Sequence, residues 1–142
     1  MTTATDTENK VLYTARTHTV GGREGRSKSD DGRLDVKLDR PGVVGSGTNP
    51  EQLFAAGWSA CFEGALGVAA ARRKMKLPAE AAINAEVDLR NGKDGYSLAA
   101  RMDVSIPGVE RGLAQQLLDE AHATCPYSKA VSGNIEVQLR LL

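Results

Sequence analysis

Cysteine is scarce in this chain: Cys61 and Cys125 are the only two among 142 residues. Two thiols are too few for a secreted scaffold stapled by disulfides, so they read as free thiols, a redox couple or metal ligands. Aromatic residues are also few, with two Phe, one Trp and three Tyr. Net charge is absent, because eighteen Lys and Arg balance eighteen Asp and Glu, so no overall field favours nucleic acid or an anionic membrane as partner. C-x-x-C, H-x-x-x-H, G-x-G-x-x-G and P-loop patterns are all missing. His18, His122 and the two cysteines therefore make no expected zinc site, and no nucleotide or other cofactor is expected. Met1–Lys10 has neither the basic start nor the apolar centre of a secretory signal, which makes the cytoplasm the expected location. That segment is expected to be a flexible tail, followed by a single domain over residues 11–142.

The longest apolar stretch is Leu53–Ala71, with Cys61 in its middle. Its length raises the question of a membrane span. Glu63, four glycines or serines and many alanines weaken it, and a buried helix of a soluble protein is the better reading. Thr48 or Asn49 can cap its start, Pro50 suits the first turn, and Thr48 with Glu51 has capping-box spacing. The basic run Arg72–Lys76 and then Pro78 place its end near Lys76. Ala55, Ala56, Gly57, Ala60, Gly64, Ala65 and Gly67 would let another backbone approach this helix closely around most of its circumference. A partner subunit is a means of covering it, so a homodimer is expected.

Alternating apolar residues predict strands over Val11–Val20 and Leu34–Leu38, paired antiparallel across the turn GGREGR. Pro41–Pro50 reads as a loop. Ile83–Leu89 and Tyr96–Ile106 form a hairpin with a loop over Asn91–Gly95. Leu113, Leu117, Leu118 and Ala121 set a helical period over Val109–Cys125, stopped by Pro126. Ile135, Val137, Leu139 and Leu141 alternate in a final strand over Asn134–Leu142. Strands then helix, twice over, with a closing strand, indicate an α+β fold with antiparallel sheets.

Cys61 on an apolar helix is by default an inert small hydrophobe, since burial raises a thiol's pKa and the thiolate is the nucleophile. A reactive Cys61 needs a nearby cation. Its own helix supplies little, because Cys61 lies roughly 16 Å beyond Pro50 along the axis. Arg23 in GGREG is a candidate, although it reads equally as a solvated turn arginine. Glu51 is explained by helix capping, or by a bidentate grip on an arginine. Cys125 precedes the helix-stopping Pro126, where a thiol can move more cheaply than at mid-helix. Packing under Tyr127 is its plain alternative.

Three segments, VLYTARTHTVGGREG, GSGTNPEQLFAAGWSACFEGAL and CPYSKAVSGNIEVQL, make the chain resemble the organic hydroperoxide resistance (Ohr) branch of the OsmC/Ohr thiol peroxidases. Trp58, where many members carry tyrosine, and a shortened glycine loop over Pro41–Gly47 depart from the pattern. The resemblance implies an OsmC-like α+β fold with a long central helix and a second helix, in an intertwined homodimer. It implies that Cys61 is the peroxidatic cysteine, Cys125 the resolving cysteine, Arg23 the thiolate-activating arginine and Glu51 the residue holding that arginine. The implied activity is reduction of organic hydroperoxides to alcohols through a Cys61 sulfenic acid and a Cys61–Cys125 disulfide. Phe54, Trp58, Phe62 and Tyr127 would form the apolar substrate pocket, and dihydrolipoamide or lipoylated proteins would be the reductant. The alternative is a dimeric redox sensor that uses the same disulfide without turnover.

Overall fold

The computed structural model describes residues 8–142. Of the tail expected over 1–10, positions 1–7 lie outside the described residues, and Glu8–Lys10 are in neither helix nor strand. Two compact units follow, one ending at Asn49 and one spanning Pro50–Leu142.

The N-terminal unit is a small antiparallel sheet, β1 (Thr17–Val20), β2 (Arg26–Ser29) and β3 (Asp35–Lys37), with β2 in the centre. The predicted pairing of a first strand with a strand at Leu34–Leu38 is corrected here: both pair with β2 instead. The first strand begins at Thr17, so Val11–Arg16 are not in it. No apolar alternation marks β2, whose sequence is RSKS. Polar pairs across its neighbours hold it: Thr19 and Ser27 hydroxyls lie 2.8 Å apart, and Arg26 Nε donates to Asp35 at 2.8 Å. Between β1 and β2 the chain makes one 3-10 turn, Gly22–Glu24. Gly25 is obligatory there, since a Cβ would stand 1.7 Å from the Val20 carbonyl oxygen. The loop after β3 folds back on Asp39, whose carboxylate accepts from the Gly47 N–H at 2.6 Å. That bond holds the Asp39 carboxyl below the usual carboxylate range.

The C-terminal unit is built on α1 (Pro50–Arg72). Trp58, Phe62, Leu66, Ala69 and Ala70 follow helical spacing and are buried, whereas Gln52, Ala56, Ala60, Gly64 and Val68 recur every four residues on an exposed face. By length and composition α1 could cross a membrane, a test that the core helix of a soluble protein also passes. The helix ends at Arg72 rather than near Lys76. Lys74 takes φ 56 in the left-handed region, its N–H bonds to the Ala71 carbonyl, and the Met75 N–H returns to Ala70 at 3.0 Å. This is a Schellman closure with lysine where glycine is usual, and Met75 packs on the core beyond it.

The hairpin β4 (Ala82–Gly92) and β5 (Gly95–Ser105) pairs out to Gly92 and Gly95, leaving only Lys93 and Asp94 in the turn. Next come α2 (Arg111–Thr124), capped by the Glu110 carboxylate on the Gly112 and Leu113 N–H groups, and a short α3 (Pro126–Val131). The last strand, β6 (Glu136–Leu141), lies parallel to β5. An antiparallel arrangement was expected, but a connection that contains two helices is long enough for a crossover, and a crossover returns the chain parallel. Met102 and Val104 of β5, Ile106 just beyond it, Leu117 and Leu118 of α2 and the buried stripe of α1 make one core. The opposite face of the sheet is charged, with Arg101 gripping Asp88 at 2.7 and 2.8 Å and Glu86 at 3.0 Å.

Candidate active site

Cys61 projects from the edge of the buried stripe of α1 and is half-buried; Cys125 is fully buried. Both are free thiols, and Cys125 Sγ lies 3.4 Å from Cys61 Sγ. The backbone brings Cys125 there from both sides. Its N–H donates to Ala121 as the last bond of α2, at 2.8 Å, and its carbonyl accepts from Lys129 as the first bond of α3, at 2.9 Å. Pro126 ends one helix and occupies the first position of the next, where its missing N–H costs nothing. Cys125 is therefore the joint between two helices, the second of which was not expected from sequence.

Burial is the main influence on Cys61, and it pushes the thiol up. The Tyr127 backbone N–H, which hydrogen-bonds to the sulfur, pulls it down, and the adjacent Cys125 pushes it up again. The balance lies above the ordinary thiol value. None of these three influences is a cation.

Aromatic rings pack one turn before Cys61. Phe54 meets Trp58 edge-on with centroids 5.6 Å apart and Tyr127 at 6.2 Å. Gly57 makes room for Tyr127, because a Cβ there would stand 3.0 Å from the phenol oxygen. Of the four residues named for a pocket, Tyr127 is exposed and Phe54 half-buried, while Trp58 and Phe62 are sealed in the core. The Trp58 Nε1–H donates to Ser128 Oγ at 3.0 Å, both side chains being buried. The Phe62 ring also faces His122, centroids 6.3 Å apart, and His122 Nδ1 is buried without a hydrogen-bond partner. Sequence reasoning did not find Ser128, whose signal was the CPYS segment itself, and it read Gly57 as room for another backbone rather than for the Tyr127 ring.

The other two predicted residues lie in separate units of the chain. Glu51 is half-buried in the first turn of α1, roughly 15 Å along the axis from Cys61. Arg23 belongs to the N-terminal unit, exposed at the centre of the Gly22–Glu24 turn. Among the described residues no three His, Cys, Asp or Glu side chains gather to hold a metal ion.

A protein-family model described as OsmC-like protein matches residues 43–140. The chain is 48% identical over 136 residues to an organic hydroperoxide resistance protein of Xanthomonas axonopodis pv. citri, covering 93% of this chain and 96% of that one. It is 40% identical to the organic hydroperoxide resistance protein OhrA of Bacillus subtilis, over 94% of this chain and 98% of that one. The crystal structure of OhrB from the same organism superposes with a TM-score of 0.87 at 39% identity, over 93% of this chain and all 100% of that one. On sequence and structure together, the chain belongs to the OsmC/Ohr family, in its organic hydroperoxide resistance branch.

Proposed function

We propose that the chain is a cytoplasmic thiol-dependent peroxidase that reduces organic hydroperoxides, including those of fatty acids, to alcohols. The observation that carries this reading is the 3.4 Å approach of the Cys125 and Cys61 sulfurs across 64 positions of sequence. An inert packing role requires neither sulfur to face the other. The Cys61 thiolate attacks the distal oxygen of ROOH. A sulfur–oxygen bond forms, the oxygen–oxygen bond breaks, and the alkoxide takes a proton and leaves as the alcohol. The Cys125 thiolate then attacks the Cys61 sulfenic acid; the disulfide forms, the sulfur–oxygen bond breaks, and hydroxide leaves as water with the proton that Cys125 gave up. A dithiol of the dihydrolipoyl class, free or on a lipoylated protein, returns two electrons and two protons by thiol–disulfide exchange and ends as its own cyclic disulfide.

Arg23 takes the role of the cation that Cys61 needs, stabilising the thiolate and polarising the peroxide, and Glu51 that of its bidentate holder. The raised proton affinity of Cys61 is the physical reason such a charge is required. Phe54 and Tyr127 offer apolar surface to a hydrocarbon tail, with Trp58 and Phe62 stiffening it from behind. The working unit is a homodimer, because the exposed Ala56, Ala60, Gly64 and Val68 face of α1 is apolar and small enough for close contact.

Steady-state consumption of cumene hydroperoxide with dihydrolipoamide tests this reading. The wild type turns over, Cys61→Ser does not, and Cys125→Ser consumes about one equivalent per site before stalling as sulfenate. Equal activity in both variants would refute the assigned roles. Disulfide formation without turnover would identify a dimeric redox sensor instead.

A further inference from the structure

The contact between α1 and the helix joint is made at two matched levels. Cys61 and Cys125 meet at 3.4 Å; three residues before one and three after the other, Trp58 Nε1–H and Ser128 Oγ meet at 3.0 Å. Trp58, Cys125 and Ser128 have relative exposures of 0%, 0% and 1%, so this second contact is dry. Ser128 is one of only two buried polar residues among those described, the other being Ser27 in the separate N-terminal unit. A serine sealed in an apolar core costs free energy unless its hydroxyl is paired, and an indole N–H does likewise. Each satisfies the other.

Forming a disulfide draws two sulfurs from 3.4 Å to about 2 Å, within a narrow range of Cα separations and side-chain torsions. The segment that must hold Cys125 in that range is α3, six residues long, too short to keep its place through its own hydrogen bonds. Its first turn is fixed to α1 by Ser128. We propose that Trp58 and Ser128 are a positioning pair for disulfide closure, holding Cys125 against Cys61 so that the sulfenic acid is captured before a second peroxide reaches it. The inference rests on the peroxidase cycle above and concerns its second step. In that step the Cys125 sulfur attacks the Cys61 sulfur, the disulfide forms, the sulfur–oxygen bond breaks and water leaves. When closure is slow, a second ROOH instead delivers an oxygen to the sulfenate, leaving ROH and a sulfinic acid that an ordinary dithiol does not reduce.

Quenched-flow oxidation of the reduced full chain with cumene hydroperoxide, read by intact mass, separates the steps. Wild-type protein gains one oxygen and then loses it as water to reach the disulfide. Ser128→Ala is expected to take up the first oxygen at the wild-type rate, close the disulfide at least about tenfold more slowly, and accumulate the two-oxygen product in excess peroxide; Trp58→Phe, whose ring also backs the substrate surface, is expected to slow closure more than oxygen uptake. Ser128→Thr keeps the hydroxyl and restores closure. Removing both partners together leaves no buried group unpaired and spares stability, so Trp58→Phe with Ser128→Ala should be folded yet still slow to close. Wild-type closure in that folded double variant would overturn the inference, as would an equal slowing of both steps in Ser128→Ala. If single variants do not fold, the double variant and wild-type fluorescence decide. As the only tryptophan, Trp58 should keep one buried emission maximum in the reduced and disulfide forms, and a red shift on oxidation would contradict a retained clamp. Absence of any disulfide in the wild type would sink the peroxidase reading itself, a different result from a disulfide that forms equally fast without the clamp.

Discussion

Cys61 is held in a contradiction that its chemistry has to resolve. Desolvation raises its pKa, and the Tyr127 N–H offsets this only in part. A neutral thiol at physiological pH is a slow nucleophile, so the peroxidase reading stands on an added positive charge. Arg23→Ala is therefore expected to move the pH at which Cys61 becomes open to iodoacetamide upward, so that at a fixed neutral pH alkylation and the first peroxide step are both slower. An alkylation profile unchanged by that substitution would remove Arg23 from the site. Both cysteines stood out in the sequence by residue type and setting, whereas the roles of Arg23 and Glu51 come from the family resemblance alone, since local arguments read them equally as a solvated turn arginine and a helix-capping carboxylate. Tyr127's backbone amide, Ser128 and the Gly57 cradle were not legible, since each acts through a tertiary approach of α3 to α1 that no local pattern encodes.

At the level of elements, readability followed the source of stability. α2 and the β4–β5 hairpin carry apolar periods that match their burial and α1 is a continuous apolar run with a capped start, and sequence placed all of them apart from the end of α1. β2 is held by hydroxyl and charge pairs across the sheet, and RSKS gave nothing for a hydrophobic pattern to detect. α3 was hidden behind a proline that looked like a stop and is a helix start. The direction of β6 depended on the crossover before it rather than on its own alternation. The end of α1 was misplaced by the left-handed Lys74, a conformation in which a Cβ is costly. Lys74→Gly should relieve that cost and stabilise the protein by about 0.5–1 kcal/mol in urea unfolding, after the larger entropy loss of glycine is counted. A destabilisation would mean that the Lys74 side chain contributes more than its backbone costs. In α2, Leu117 is fully buried in the core, and Leu117→Ala should cost about 2–5 kcal/mol by the same measurement.

For the whole molecule, the exposed stripe of α1 is the face that the proposed homodimer would cover. A Cβ at Gly64 meets nothing within 4 Å, so Gly64→Arg fits the lone chain without a clash. If a second copy covers this face, that variant sediments as a monomer while the wild type sediments as a dimer; an unchanged dimer would place the interface elsewhere. The cycle as a whole depends on one event, the joining of the two sulfurs that lie 3.4 Å apart. The most direct measurement is intact and peptide mass spectrometry of the reduced chain after one equivalent of cumene hydroperoxide. The peroxidase cycle predicts a loss of two hydrogens and a single cross-linked peptide joining Cys61 to Cys125. Unchanged mass, or an oxygen retained on Cys61 with Cys125 still free, would contradict it.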